Sequence, residues 1–215
     1  MKNAQDRLFL FDLDGTLLDT KASIVNAYRR AIETVLGYRI LPDDNHQEDL
    51  LRRRPLEYFA QHYPGKEVEL ANSYSSLYES SEVKAFPSLS PILRSLKDAG
   101  LIGIVTNKAR ARVEMDLEEI GWKADFFDVI VTAENTEARK PDPAPIIFAM
   151  TELHQVSREN TWYIGDGPHD IQAARSAGLK CAAACWGYYR REELAVLNPD
   201  LLFSSTEHLL KLADL

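Results

Sequence analysis

Leu8-Phe9-Leu10-Phe11-Asp12-Leu13-Asp14-Gly15-Thr16-Leu17-Leu18-Asp19-Thr20 is the stretch that decides how this chain is read. An apolar run of strand length delivers two carboxylates, two residues apart, into a Gly-Thr turn. Asp12 and Asp14 are therefore expected to project from the C-terminal end of a buried strand. Two like charges about 4 Å apart at an effective dielectric of about 20 repel by roughly 4 kcal/mol, so the pair calls for a counter-ion or a function. Taken alone, Asp-x-Asp-Gly reads more plainly as a polar turn closing a strand. The rest of the chain has to decide between the two.

Beyond Thr20 the pattern becomes helical. Ile24, Ala27, Tyr28, Ala31, Ile32, Val35 and Leu36 keep helical spacing, and Gly37 stops the run. A second helical stretch begins near Glu48 and carries Leu50, Leu51, Leu56, Tyr58 and Phe59; a third runs from Glu67 to Tyr78. No strand is legible between Lys21 and Glu82, so residues 19–84 are expected to form an all-helical insert.

From Lys84 the chain alternates. Helices are expected over Ser90 to Ala99, Arg110 to Ile120, Pro145 to Leu153 and His169 to Ala177, the first, second and fourth stopped by Gly100, Gly121 and Gly178. Between them lie apolar strand candidates: Leu101 to Thr106, Phe127 to Val131, Thr161 to Gly165, Lys180 to Ala184 and Leu201 to Phe203. This alternation predicts an α/β fold, a doubly wound parallel sheet of Rossmann-like kind. Its core is built from residues 1–18 and 85–215, with the helical cap inserted after the first strand.

Composition narrows the function. A net charge of −8 over 215 residues disfavours nucleic acid and anionic membranes as partners, since binders of either carry basic patches. No long apolar run or signal-peptide pattern precedes the first strand, so a cytoplasmic location is expected. Cys181 and Cys185, the only cysteines, lie in an apolar segment and read as inert thiols. Any metal must then be held by oxygen.

In a doubly wound sheet the ligand site lies outside the carboxyl ends of the strands. Those ends carry Asp12 and Asp14; Thr106-Asn107-Lys108; Arg139-Lys140-Pro141-Asp142; and Gly165-Asp166-Gly167-Pro168-His169-Asp170. Each group alone fits a cap, a turn or a rigid loop. Their shared position at one sheet edge argues against four accidents.

These residues resemble the haloacid dehalogenase-like (HAD) hydrolase superfamily, with its four motifs in order. They are Asp12-x-Asp14-Gly15-Thr16, Thr106 after an apolar strand, Lys140 before Pro141, and Gly165-Asp166-x-x-x-Asp170. The core wording is most similar to the phosphoglycolate phosphatase-like branch, and the insert to the type 1 helical cap. The resemblance implies that Asp12 is a nucleophile forming an aspartyl-phosphate and that Asp14 serves as general acid and then base. Thr106, Asn107 through its backbone amide, and Lys140 would hold the phosphoryl group. Asp12, Asp166 and the backbone carbonyl of Asp14 would hold Mg²⁺, with Asp170 supporting them; this oxygen-only donor set suits that ion.

The implied activity is hydrolysis of a small phosphorylated metabolite, a phosphomonoester such as phosphoglycolate or a sugar phosphate. A phosphomutase of the β-phosphoglucomutase kind, an inorganic pyrophosphatase and a non-catalytic binding protein are the alternatives. Relatives often carry Ser or Thr where this chain has Gly167, which leaves a supporting hydroxyl absent. His169 in the same loop reads as a helix N-terminal or surface residue.

Substrate selection is expected in the cap. There Arg52-Arg53-Arg54 precedes Pro55-Leu56, and an arginine could clamp a second anionic group, although a basic run more often faces water. His46, His62 and Tyr74 are weaker candidates. Trp186-Gly187-Tyr188-Tyr189-Arg190-Arg191 reads as a loop entering a helix around Glu192 to Val196.

Overall fold

The computed structural model describes residues 6–38, 44–154 and 156–214, with side chains from residue 47 in the second stretch. They divide into two compact units, Met1–Asp19 with Lys84–Leu215, and Thr20–Val83.

The larger unit is built on β1 (Leu8–Phe11), whose four side chains are completely buried. A strand buried on both faces reads as an unbroken apolar run, which explains why Leu8-Phe9-Leu10-Phe11 shows no alternation. A short ladder follows, in which β2 (Leu18–Asp19) pairs antiparallel with β3 (Lys84–Ala85).

The smaller unit holds α1 (Lys21–Leu36), α2 (Asp44–Arg52), α3 (Pro55–His62) and α4 (Glu67–Leu77). The larger unit continues through α5 (Leu89–Ala99), β4 (Leu101–Val105), α6 (Arg110–Glu119), β5 (Val129–Val131) and α7 (Ala144–Glu152). It closes with β6 (Thr161–Gly165), α8 (Pro168–Ser176), β7 (Lys180–Ala184), α9 (Arg191–Ala195), β8 (Leu201–Phe203) and α10 (Lys211–Asp214).

Six strands form one parallel sheet in the order β5-β4-β1-β6-β7-β8. The chain winds outward from β1 to β4 and β5, then returns to β6 on the opposite side. β1 is therefore the switch point, and the crevice lies at its carboxyl end. Register fixes which residues meet there: Phe11 is opposite Ile104 on one side and Ile164 on the other. Asp12 follows Phe11 directly, Thr106 and Asp166 lie two residues beyond their partners, and the Asp12 N–H is held by the Ile164 carbonyl at 2.8 Å.

In the helical unit Tyr28 of α1 is the hub. Its ring centroid is 5.0 Å from those of Tyr58 and Phe59 and 4.7 Å from that of Tyr74. Packing of this kind is worth about 0.5–1.5 kcal/mol per aromatic pair beyond the area buried. Gly37 adopts the left-handed conformation that ends α1 and donates its N–H to the Glu33 carbonyl.

Asp19 and Lys84, at the two ends of the expected insert, pair with each other in the β2–β3 ladder. Two expectations need correction. The stretch expected from Glu48 through Phe59 is two helices, because Pro55 begins α3 and forces Arg54 into extended backbone (ψ 146°). The strand expected from Phe127 starts at Val129. Asp128 is diverted into the Ile102 backbone, whose N–H it accepts at 2.8 Å, and to Lys97 at 2.7 Å. Among the described residues no helix is long and apolar enough to cross a membrane.

Gly103 lies opposite Val129, where an added Cβ would stand 2.5 Å from Val129 Cγ1 and 2.9 Å from Leu10 Cδ2. Gly103→Ala is expected to destabilise the sheet by about 1–3 kcal/mol through overpacking. At roughly 2–4 °C per kcal/mol for a chain of this size, a thermal melt would register the loss.

Candidate active site

Asp12 leaves the end of β1 only 5% exposed, too dry to stand without a partner. Lys140 answers it, with Nζ 2.8 Å from Asp12 Oδ1 and 2.7 Å from Asp170 Oδ1. The same ammonium donates to the Tyr163 hydroxyl at 2.7 Å, and that hydroxyl donates to the Val105 carbonyl at 2.8 Å. Lys140 is thus held from β1, β6 and α8 at once, with its side chain wholly buried. Its loop is secured by Asn107, whose amide accepts the Lys140 N–H and donates to the Lys140 carbonyl, both at 3.0 Å.

Asp170 lies in the first turn of α8, where its Oδ2 accepts the Gly167 N–H at 3.0 Å and closes that turn. His169 Nε2 is 3.5 Å from the same oxygen. Asp166, 2% exposed at the end of β6, has the Tyr188 N–H as its hydrogen-bond donor, 2.7 Å from Oδ2. Thr106, buried at the end of β4, accepts the Lys108 N–H at 3.2 Å through Oγ1.

Electrostatics set these carboxyls apart. Burial raises Asp12 above the usual carboxylate range despite Lys140 beside it. Burial alone would raise Asp170 too, but His169, Lys140 and the Gly167 N–H together hold it below that range. Asp166 is driven well above it by burial and by the charges of Asp170 and Asp12. Burial pulls Lys140 down, but Asp12 and Asp170 outweigh it, so the ammonium persists. Three buried carboxyls thus share one buried cation.

Two glycines let the backbone approach the Asp166 carboxylate closely. A Cβ at Gly15 (φ +80°) or at Gly187 would overlap the Asp166 carboxylate. Asp12, His169 and Asp170 present possible ligand atoms within 4.8 Å of one another. Both Asp170 oxygens already accept hydrogen bonds, which fits a supporting place better than a direct one.

The sequence reading brought together Asp12, Asp14, Thr106, Asn107, Lys140, Asp166 and Asp170, and all seven lie in the larger unit at the carboxyl ends of the strands. Several neighbours carried no assigned role. Lys108 lies 2.7 Å from Asp14 Oδ1 and also pairs with Asp116, which is fully buried on α6. The visible signal was a lysine two residues after Thr106; its partners, 94 positions away in one case and on the next helix in the other, were not visible.

Tyr163 was read only as part of an apolar strand. The Trp186 loop has more than a connecting role: the Trp186 indole N–H donates to the Thr16 carbonyl at 3.0 Å, and the Tyr188 backbone reaches Asp166.

The cap candidates are placed differently. Arg52 and Arg53 pair with Glu48 and Asp49 of α2, and Arg54 pairs with Glu57 of α3. His62 lies 2.9 Å from Asp49, Tyr74 belongs to the aromatic core, and the His46 side chain lies outside the described residues. The helical unit also carries a half-open pocket of about 320 Å³ between α1 and residues 77–82, bordered by Ser23, Asn26, Arg29 and Glu82. Burial raises both cysteine thiols above their usual range, as inert thiols require.

Comparison with known proteins agrees with this geometry. Residues 9–184 match the sequence model of the haloacid dehalogenase-like hydrolases. The pyrophosphatase PpaX of Bacillus cereus is 33% identical over 211 residues, covering 94% of this chain and 93% of that protein. A haloacid dehalogenase-like family hydrolase from Streptococcus pneumoniae superposes with a TM-score of 0.84 at 25% identity, covering 97% of this chain and 98% of that one. CbbY from Rhodobacter sphaeroides, solved with phosphate, shares the fold with a TM-score of 0.82 at 24% identity, covering 98% and 100%. With four strand ends delivering the expected carboxyls, threonine and lysine to one crevice, the chain belongs to the haloacid dehalogenase-like hydrolases and is an enzyme of their phosphatase kind.

Proposed function

We propose that the chain is a Mg²⁺-dependent phosphatase acting on a small phosphomonoester through an aspartyl-phosphate on Asp12. The observation that carries this reading is the Lys140 ammonium shared between Asp12 and Asp170 beside an Asp166 carboxyl that pairs with no cation among the described residues. Phosphoryl transfer is mostly positioning and charge neutralisation, and the crevice offers both.

In this mechanism an Asp12 carboxylate oxygen attacks phosphorus, the bond to the leaving oxygen breaks, and Asp14 gives that oxygen its proton. Water then attacks the aspartyl-phosphate, Asp14 takes a proton from it, and phosphate leaves with Asp12 regenerated. Lys140 neutralises the phosphoryl oxygens while Thr106 donates its hydroxyl to one of them. Asn107 contributes through Lys140, whose backbone it fixes from both sides.

The donor set fits a divalent cation. The buried carboxyls of Asp12, Asp166 and Asp170 exceed the one ammonium of Lys140 among them. Asp12, Asp166 and the Asp14 carbonyl would hold Mg²⁺, with Asp170 supporting them, and the bound ion would supply the remaining positive charge at the phosphoryl oxygens.

Inorganic pyrophosphate is the second reading, favoured by the relatives named pyrophosphatase at 32–33% identity. Its leaving group is itself an anion, which places a further demand on local cations.

The raised Asp166 carboxyl has a consequence for stability. In the metal-free protein it binds its proton more tightly folded than unfolded, so the native state gains at low pH. That gain is lost as pH rises from about 4, the unfolded value, through the higher folded value. Asp166→Asn is therefore expected to raise the melting temperature of the chelated protein at neutral pH, by about 2–4 °C for each kcal/mol of relieved charge burial. The variant should also lose the thermal shift that Mg²⁺ gives the wild type. A lower melting temperature in chelator would contradict the assignment.

The activity test is phosphate release from phosphoglycolate, sugar phosphates, aryl phosphates and pyrophosphate, with Mg²⁺, with chelator and in Asp12→Asn. Turnover is expected with Mg²⁺ only and is expected to fall by at least about 10³-fold in the variant, the loss typical of a removed nucleophile. The preferred substrate separates the monoester reading from the pyrophosphate one. Equal rates in Asp12→Asn and wild type would exclude the phosphoenzyme.

A further inference from the structure

Lys108 occupies a place that the four motifs do not account for. Its side chain is 6% exposed, and its Nζ lies 2.7 Å from Asp14 Oδ1, while Asp14 itself is 23% exposed. The same ammonium is paired with Asp116, whose side chain is completely buried on the inner face of α6. The lysine backbone is fixed on both sides: its N–H donates to Thr106 Oγ1 at 3.2 Å, and its carbonyl accepts the Ala133 N–H at 3.0 Å. A side chain of four methylenes normally costs up to about 2 kcal/mol to order. Here the loop and Asp116 have already ordered it before any substrate arrives.

We infer that Lys108 is the positioning residue for Asp14, and that Asp116 is the buried counter-ion that keeps Lys108 in place. This rests on the reading of Asp14 as the acid that protonates the leaving oxygen. As the proton passes from the Asp14 carboxyl to that oxygen, the P–O bond breaks and a full negative charge appears on the carboxylate. The Lys108 ammonium already touches Oδ1 and compensates that charge without reorganising. Asp116 is buried on α6 and holds the same ammonium that touches Asp14, so its effect passes through Lys108.

A plain structural ion pair would look the same in a melt, so the leaving group has to be the probe. A poor leaving group needs its proton in the transition state, whereas an acidic one departs almost unaided. Lys108→Met removes the ammonium at nearly constant length but leaves Asp116 buried and unpaired, a change that can cost about 3–5 kcal/mol and the fold with it. The decisive variant is therefore Lys108→Met with Asp116→Asn, which removes both charges together.

The experiment measures kcat/KM for 4-nitrophenyl phosphate, for phenyl phosphate and for the other substrates that the wild type turns over. The double variant and Asp14→Asn are compared with the wild type, with melting temperatures recorded for each. A positioned general acid contributes about 10²–10⁴-fold. The double variant is expected to lose on the order of tenfold more activity on the poorest leaving group than on 4-nitrophenolate, in the same direction as Asp14→Asn. Equal losses on all leaving groups, or no loss, would reduce Lys108 and Asp116 to a structural pair and overturn the inference. A wild type inert on every substrate would overturn the phosphatase reading beneath it, a failure visible before any variant is made.

Discussion

Everything at the carboxyl edge of the sheet depends on how one buried ammonium is shared. Lys140 lies within 2.8 Å of Asp12 and 2.7 Å of Asp170, and without it three carboxyls would face one another in a site almost closed to water. Removing one partner from a buried charge pair costs about 3–5 kcal/mol, because the remaining charge is stranded. The fold accordingly surrounds this lysine with fixtures: the Tyr163 hydroxyl from β6, the Asn107 amide from the end of β4, and Asp170 from the first turn of α8. Even so the charge does not balance. Among the described residues the carboxyl left without a paired cation is Asp166, and two glycines pack closely against it.

This imbalance links fold to chemistry. A doubly wound sheet brings the ends of β1, β4 and β6 together at its switch point, and the shared register places Asp12, Thr106 and Asp166 within one or two residues of the same level. A site of this kind is costly to the empty protein, and under the proposed function the binding of a cation and an anion together offsets that cost. On that proposal an acidic chain takes a phosphorylated substrate because the attraction is local, set by Lys140 and Lys108 and not by the net charge of −8.

Much of this was legible in the sequence, and the physical reasons differ by element. β1 could be read because a strand buried on both faces is continuously apolar, and β6 and β7 because glycines and turn residues delimit them. The carboxyls of the site could be read because buried acids at strand ends have few structural uses. What escaped notice depends on contacts distant in sequence. Lys108 looks like part of a turn until Asp14 and Asp116 close on it, and Tyr163 looks like core until Lys140 meets its hydroxyl. The two-residue strands β2 and β3 carry no periodic signal at all; they exist because the chain leaves and re-enters the larger unit at neighbouring points. Pro55 did carry a signal, and splitting the helical stretch there needed only its missing N–H.

The central claim is that Asp12 becomes covalently phosphorylated. The most direct measurement mixes the enzyme with Mg²⁺ and its best substrate, quenches in acid within the first turnover, and reduces the denatured protein with borohydride. Peptide mass spectrometry then locates the product. An acyl phosphate on Asp12 is expected to appear as homoserine at position 12, only when substrate was present and not in Asp12→Asn. Phosphate release with position 12 unmodified throughout, or homoserine at Asp14 or Asp166 instead, would contradict the account.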